Sequence, residues 1–295
     1  MSFVDILILG AGWTSDFLIP LLIESSVLFA ATTRDGRPRL EQGTIKFEFD
    51  PDSTDCSPFR LLPDAQTVLI SFPIYRSGGS VTLVKLFKEA HPESKAAFIQ
   101  LGSTGIWTGD QTLKSGPSPI WCDRHSPFNE SNVRAQAESE LLKLSPNTWT
   151  TVLNLSGLWG RHRQPRNWVS RVAPTKEALS RKGGIHLIHG LDVARAILAV
   201  HHNFSTASGQ RWLLTDGRVY DWWDLASSWD EGSWEEGSGS ETVIGQSQWV
   251  RELMRERGVR VLPRSLSSFE RVLDSRDFWE VFDISPMKTL VSSVS

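Results

Sequence analysis

The residues best suited to chemistry open the chain. Gly10 and Gly12 follow an unbroken apolar run, Ile6 to Leu9, and precede Trp13, Thr14 and Ser15. A buried strand that enters a glycine turn and then a helix brings backbone N–H groups close to a phosphate at the helix N-terminus. Two glycines of a three-glycine dinucleotide fingerprint are in place, and Ser15 stands where the third would let helix and strand pack closely. Taken alone, the turn also fits an ordinary strand–turn–helix. Roughly 20 residues on, where such a fold places the adenosine ribose, a second apolar run (27–32) leads into Thr33, Arg34 and Asp35. An acid at that point selects a free ribose 2′-hydroxyl, whereas an arginine accommodates a 2′-phosphate. Arg34 therefore favours NADP over NAD, with a solvated loop cation as the competing reading. Ser71 and Pro73 close a further buried strand, at the carboxyl end where open α/β sheets bind ligands. The candidate cofactor contacts are thus Gly10, Gly12, Trp13, Thr14, Ser15, Thr33, Arg34, Ser71 and Pro73.

The elements that must position these residues alternate in type. Apolar spacing predicts helices over residues 16–25, 81–90, 130–144, 193–200, 221–229 and 248–257. Short apolar runs predict buried strands over 65–71, 95–101, 149–155, 184–188 and 211–215, and Ile45, Phe47 and Phe49 alternate with Lys46 and Glu48 as in a strand with one polar face. Asp192, just ahead of the 193–200 helix, suits its N-terminus by dipole and capping. Strands alternating with helices from residue 3 to about 155 argue for a doubly wound parallel α/β sheet. Two stretches read as long loops: 102–125, and the acidic, glycine- and serine-rich 230–240, which predicts a mobile surface segment. The exit of the 149–155 strand, Ser156 to Arg163, is basic and carries glycines, as a phosphate-facing or substrate-facing loop would.

Composition narrows the class of partner. The 295 residues carry a net charge of −3, which gives no electrostatic reason to expect nucleic acid or an anionic membrane. A small-molecule substrate is the expectation. Cys56 and Cys122 are too few for a disulfide framework or a zinc site, so a reducing compartment is the default. The first strand begins within a few residues of Met1, and no apolar run approaches ~20 residues, so a cytoplasmic protein with no membrane span is expected. His186 and His189, three apart near a strand, point to opposite faces, and His201 and His202 close a helix, so no metal is predicted. Twelve of the 13 tryptophans lie after residue 100, which suggests a flat apolar cavity wall alongside core packing.

The glycine turn, the Thr33-Arg34 pair, Leu101 to Ile106, the Arg134 to Glu138 helix, Gly157 to Gly160 and Ile188 to Ala194 fall in one order from residue 3 to about 230. In that order the chain resembles the extended or atypical short-chain dehydrogenase/reductases of the epimerase/dehydratase branch. The resemblance implies a Rossmann core over 1–160. It also implies a smaller C-terminal substrate or lid region over 161–295, interleaved with the last core strands (183–215). Family members bind the reacting oxygen with a Ser or Thr, use a Tyr as acid/base, and place a Lys four residues later on the nicotinamide ribose. Ser103 matches the first of these, while Glu130 and Arg134 occupy the tyrosine and lysine places. Arg134 can bind ribose hydroxyls but cannot exchange protons near neutrality, and Glu130 replaces a phenol only if burial raises its pKa strongly. Tyr75, Asp123 and His125 are other potential proton donors. Three functions follow: an NADP(H)-dependent reductase or epimerase/dehydratase-type enzyme on a small apolar metabolite, a non-redox isomerase or cyclase, and a non-catalytic NADP(H)-binding sensor or scaffold.

Overall fold

In a strand buried on both faces, successive side chains must find two separate cores, and the first strand does so. The computed structural model describes residues 3–108, 119–229 and 245–293. Ile6, Leu7, Ile8 and Leu9 of β1 (Phe3–Leu9) are all 0% exposed. Ile6 and Ile8 join the core that includes Leu18 and Leu22 of α1 (Ser15–Glu24), and Leu7 and Leu9 join the core on the opposite face. A sheet sandwiched between two helical layers follows from that alternation.

The chain continues through β2 (Phe29–Thr33), β3 (Ile45–Lys46), β4 (Asp64–Ile70), α2 (Gly79–Ala90), β5 (Ala97–Ser103), β6 (Ile120–Cys122), α3 (Val133–Leu142) and β7 (Thr150–Leu155). Then come β8 (Gly157–Trp159), α4 (Val169–Val172), α5 (Lys176–Ser180), β9 (Gly184–Ile185), β10 (Leu187–His189), α6 (Gly190–His202), α7 (Phe204–Ala207) and β11 (Arg211–Leu214). β12 (Tyr220–Asp221), α8 (Trp222–Ser228), α9 (Gln246–Glu256), β13 (Arg271–Leu273) and α10 (Arg276–Val281) complete it. Seven strands form one parallel sheet in the order β3-β2-β1-β4-β5-β7-β11. The chain leaves β1 toward β2 and returns on the other side at β4, so the topological switch point lies between the carboxyl ends of β1 and β4. This is a doubly wound Rossmann sheet. α6 packs beside α1 on one face, and α2 and α3 cover the other.

A second core gathers residues from before and after α6 and β11: Trp159, Val169, Leu179, Leu187, Trp223 and Leu253 among them. Three short strand pairs tie this part together, β8 with β10, β9 with β12 and β6 with β13. Buried tryptophans are chiefly core residues, with Trp107, Trp212 and Trp223 the largest fully buried side chains.

Local departures from the periodic reading have local causes. α3 starts at Val133, three residues later than expected, because the Asn132 side chain accepts from the Arg134 and Ala135 N–H groups (3.0 and 3.4 Å) and fixes the cap there. β3 stops at Lys46 since this edge strand pairs only with β2, and Phe47 and Phe49 turn instead to pack on Phe59. α6 starts at Gly190, where His189 Nδ1 accepts from the Leu191 N–H at 3.1 Å. Asp192 therefore lies inside the first turn, and its fully buried carboxylate accepts from the Met287 and Lys288 N–H groups (2.8 and 3.0 Å) and from Arg195 (3.1 Å). The expected strand over 184–188 is split at His186, whose Nε2 accepts from the Leu273 N–H at 2.9 Å. The expected loop at 230–240, and residues 109–118 of the loop at 102–125, lie outside the described residues.

Candidate functional site

The glycine turn is built by the strand beside it. Thr32 at the end of β2 accepts the Gly10 N–H on its hydroxyl (2.9 Å) and the Ala11 N–H on its carbonyl (2.6 Å), folding the chain sharply after β1. Gly10 has φ +85°, and a Cβ there would come within 2.8 Å of the Phe72 ring, so glycine is required twice over. Among the described residues, the Trp13 and Thr14 N–H groups reach no protein acceptor, and they stand at the N-terminus of the ten-residue α1. That is the donor set a phosphate needs. Ser15 opens α1 fully buried, its hydroxyl without a partner, where the third glycine of the fingerprint would stand. Asp16 behind it is buried and paired with Arg39 at 2.7 Å. Trp13 is buried as well: its Nε1 donates to the Gly160 carbonyl (3.4 Å), and Arg163 stacks over its ring at 4.6 Å.

Two cavities flank this turn, one walled by Gly10 and the other approaching it through Arg163, which lies over Trp13. One, about 370 Å³, has Gly10, Arg34, Phe49, Phe72, Pro73 and Tyr75 in its walls. Arg34 is exposed and 3.3 Å from the equally exposed Glu48, which shares the cavity. Thr33 is turned elsewhere, its hydroxyl 2.7 Å from that of Thr44 and 3.3 Å from the Arg37 carbonyl. Ser71 is likewise committed, donating to the Leu9 and Gly10 carbonyls and so clamping the turn to the end of β4.

The other cavity, about 660 Å³, lies off the carboxyl ends of β5 and β7 and includes Ser103, Arg134, Ser156 and Arg163. Ser103 ends β5 in extended conformation, and its Oγ accepts from the Gly105 N–H at 3.1 Å, which leaves the hydroxyl proton for an oxygen in the cavity. Its own N–H donates to Glu138 Oε1 (3.3 Å). Glu138 is 0% exposed and is held by Arg211 and by Asn154 Nδ2 (2.8 Å). Burial lowers the Arg211 pKa, against the opposing pull of Glu138. Arg134, from the first turn of α3, donates to the Leu101 carbonyl (3.0 Å) with its Nε 3.5 Å from Glu138. A Cβ on Gly102 would collide with Asn154 and come within 2.7 Å of Glu138 Oε1, so the closeness of this cluster to β5 rests on glycine.

The structure thus brings Ser103 and Arg134 into one cavity, and Gly10, Arg34, Pro73 and Tyr75 into the other. Glu130 joins neither. It lies before the Asn132 cap rather than one helical turn ahead of Arg134, and it is exposed. Tyr75, 64% exposed, stands at the Arg34 end. Asp123 and His125 also lie outside the Ser103 cavity. Burial pushes the Asp123 carboxyl up, but hydrogen bonds from Ser126 and the His125 N–H outweigh it and hold the carboxyl below its ordinary range. From the basic exit segment, Ser156, Leu158 and Arg163 line the cavity, and the Ser156 hydroxyl is buried with no partner. Asn167, Trp168 and Arg171 form its far wall, on residues that sequence patterning did not single out. Among the described residues, Trp168 is the cavity's single indole. A larger cavity, about 940 Å³ beside Asp216 and Trp279, shares no residue with the turn or with Ser103.

Among the described residues, no group of three or more His, Cys, Asp or Glu side chains is placed to hold a metal ion, and no helix is long and apolar enough to cross a membrane.

No protein-family model and no curated protein sequence matches the chain. Solved structures do. UDP-N-acetylglucosamine 4-epimerase from Bacillus cereus is similar with a TM-score of 0.63 at 11% identity, over 99% of this chain and 96% of that one. dTDP-glucose 4,6-dehydratase from Bacillus anthracis, in complex with NAD, gives 0.59 at 14% identity over 97% and 92%. RMD from Pseudomonas aeruginosa, complexed with NADPH, gives 0.58 at 12% identity over 99% and 96%.

Proposed function

The fold these similarities establish is that of Rossmann epimerase/dehydratase enzymes, and from it we propose that the chain is an atypical short-chain dehydrogenase/reductase-like enzyme that binds NADP(H). One observation carries the reading: the glycine turn stands between two cavities, one walled by Gly10 with Arg34 at its end, the other holding Ser103, Arg134 and the Arg163 that lies over Trp13. A dinucleotide laid across them would put its pyrophosphate on the Trp13 and Thr14 N–H groups and its adenosine between Phe49, Phe72 and Tyr75. Arg34 would face the ribose 2′-phosphate. When bound, the nicotinamide supplies hydride transfer. The residues of this chain hold the substrate to it. Ser103 donates its hydroxyl proton to the substrate oxygen, and Arg134, fixed by Leu101 and Glu138, offers its remaining N–H groups to ribose hydroxyls.

Titration with NADPH and NADH, followed by quenching of indole fluorescence, tests this. Arg34→Ala is expected to weaken NADPH about tenfold and NADH by less than about twofold, since only the former loses a charge-assisted contact. Gly12→Trp, which fills the turn, should abolish both. Equal affinity of wild type and Gly12→Trp would overturn the reading. A non-catalytic NADP(H) sensor is the second reading, favoured by the lining of the Ser103 cavity, whose titratable side chains are Arg134, Arg163 and Arg171. Tight binding with no hydride turnover on any carbonyl substrate would select it.

A further inference from the structure

Among the described residues, the walls of the Ser103 cavity carry three guanidinium groups and no carboxylate. They are not equivalent. Arg134 is committed to the Leu101 carbonyl and faces Glu138. Arg163 lies over Trp13, on the side of the glycine turn. Arg171 comes from the opposite wall, on α4, whose Val169 and neighbouring Ala173 are anchored in the second core. Among the described residues it has no ion pair or hydrogen bond, and Asn167 and Trp168 stand beside it along the same wall. Ser156, more than nine-tenths buried, lines the same cavity with its hydroxyl unpartnered. Arg134 is compensated by Glu138, whereas Arg171 is exposed and has no counter-charge among the described residues, so an anion bound there gains charge-assisted hydrogen bonds.

We propose that this cavity takes a small carbonyl compound bearing a carboxylate or phosphate group. Arg171 clamps the anion, Trp168 lies against the carbon skeleton, and Ser103 and Ser156 face the carbonyl end. The assignment rests on the dinucleotide reading above, because the same 660 Å³ must also admit the nicotinamide. That leaves room for a small substrate rather than a second nucleotide. The expectation of an apolar substrate is replaced here by an anionic one, on the strength of this lining.

The test is a calorimetric titration of the full chain, alone and loaded with NADPH, with paired probes that differ in charge: 4-carboxybenzaldehyde against benzaldehyde, and dihydroxyacetone phosphate against dihydroxyacetone. Wild type is expected to prefer the charged member of one pair by about tenfold or more, and that pair identifies carboxylate or phosphate as the anion. Arg171→Gln should remove most of the preference, Arg171→Lys should restore part of it, and neither should change NADPH affinity, since Arg171 stands away from the turn. Equal binding of charged and neutral members, or an Arg171→Gln variant that keeps the preference, overturns the proposal. Discrimination by the chain alone with no NADPH binding would instead overturn the dinucleotide reading and leave the anion site standing.

Discussion

The central sheet and the second core are held together by different kinds of interaction. In β1 the residues Ile6 to Leu9 are sealed between two apolar layers, and no single partner decides where they sit. The second core has its own apolar centre, but its segments are fastened by discrete buried polar groups. Asp221 caps α8 through the Trp223 N–H (2.9 Å) and holds Arg264, whose guanidinium lies 4.0 Å over the Trp223 ring. His186 holds β13, and Asp192 holds the chain at Met287 and Lys288. Apolar burial is non-directional and sets the layers. Hydrogen-bonded charges are directional, and they fix how the segments of the second region meet one another. The sheet side uses the same device in the Asp16–Arg39 pair behind the glycine turn and in the Glu138, Arg211 and Asn154 cluster, which adjoins Ser103 and Arg134.

The strongest way to break this contrast is Asp221→Ala. It leaves Arg264, 6% exposed, without its counter-charge and removes the α8 cap in the same step. Loss of one partner of a buried pair costs about 3–5 kcal/mol. Urea unfolding followed by tryptophan fluorescence should show that loss, with Trp223 reporting on it from beneath Arg264. A loss below about 1 kcal/mol would mean that the apolar centre alone holds this region.

How much of this was legible from residue order depends on how far apart the interacting groups lie. The glycine turn was legible because a backbone with positive φ admits few residue types, and the parallel sheet because strands buried on both faces read as continuous apolar runs. Ser103 and Arg134, which the family resemblance singles out, line one cavity. Glu130 lies apart from them, because the Asn132 cap, a local competitor to the periodic pattern, starts the helix only after it. Asn167, Trp168 and Arg171 sit on a short 3₁₀ turn and a four-residue helix with no periodicity to read. Their position depends on β8 pairing with β10 and on Val169 entering a core completed by Leu253. Those contacts join residues far apart in sequence.

A smaller effect separates the polar fastening from everything else by its pH dependence. Burial pulls the His186 pKa down to about 3, and the nearby Arg271 adds to this, so the folded protein holds the ring neutral with Nε2 accepting from Leu273. The unfolded chain takes up a proton near its ordinary pKa of about 6.5. Stability from this group is therefore complete above that value and falls as the pH drops toward 3. Between roughly pH 7.5 and pH 5 the loss is about 2 kcal/mol. Asp216 works in the opposite sense. Burial raises its pKa to about 6 despite the hydrogen bond from Tyr220, so the folded state gains a proton first on acidification and recovers about 1 kcal/mol over the same range. Asp216 thus offsets part of the His186 loss, while His189 and His201, whose pKa values burial also lowers, add to it. His186→Gln, which keeps an acceptor for Leu273, should be about 2 kcal/mol less acid-sensitive than wild type in paired urea titrations at the two pH values. Identical slopes for the two proteins would show that His186 takes up its proton alike in the folded and unfolded chain.

The smallest expected effect belongs to the sheet. Ile8→Val removes one methylene from the layer between β1 and α1, at a position with no polar partner to lose. The cost is the transfer free energy of that group plus a small residual cavity, about 1 kcal/mol. Because the packing there is non-directional, neighbours such as Leu18 and Leu22 can settle into part of the space, and the Gly10 turn two residues on stays tied to Thr32 and Ser71 by hydrogen bonds the substitution does not touch. NADPH affinity in Ile8→Val should therefore match wild type within about twofold while the urea midpoint falls. If affinity fell as far as stability, the turn would be held by packing rather than by its hydrogen bonds, and the division between a sheet set by burial and a site set by directional contacts would fail at the point where the two meet.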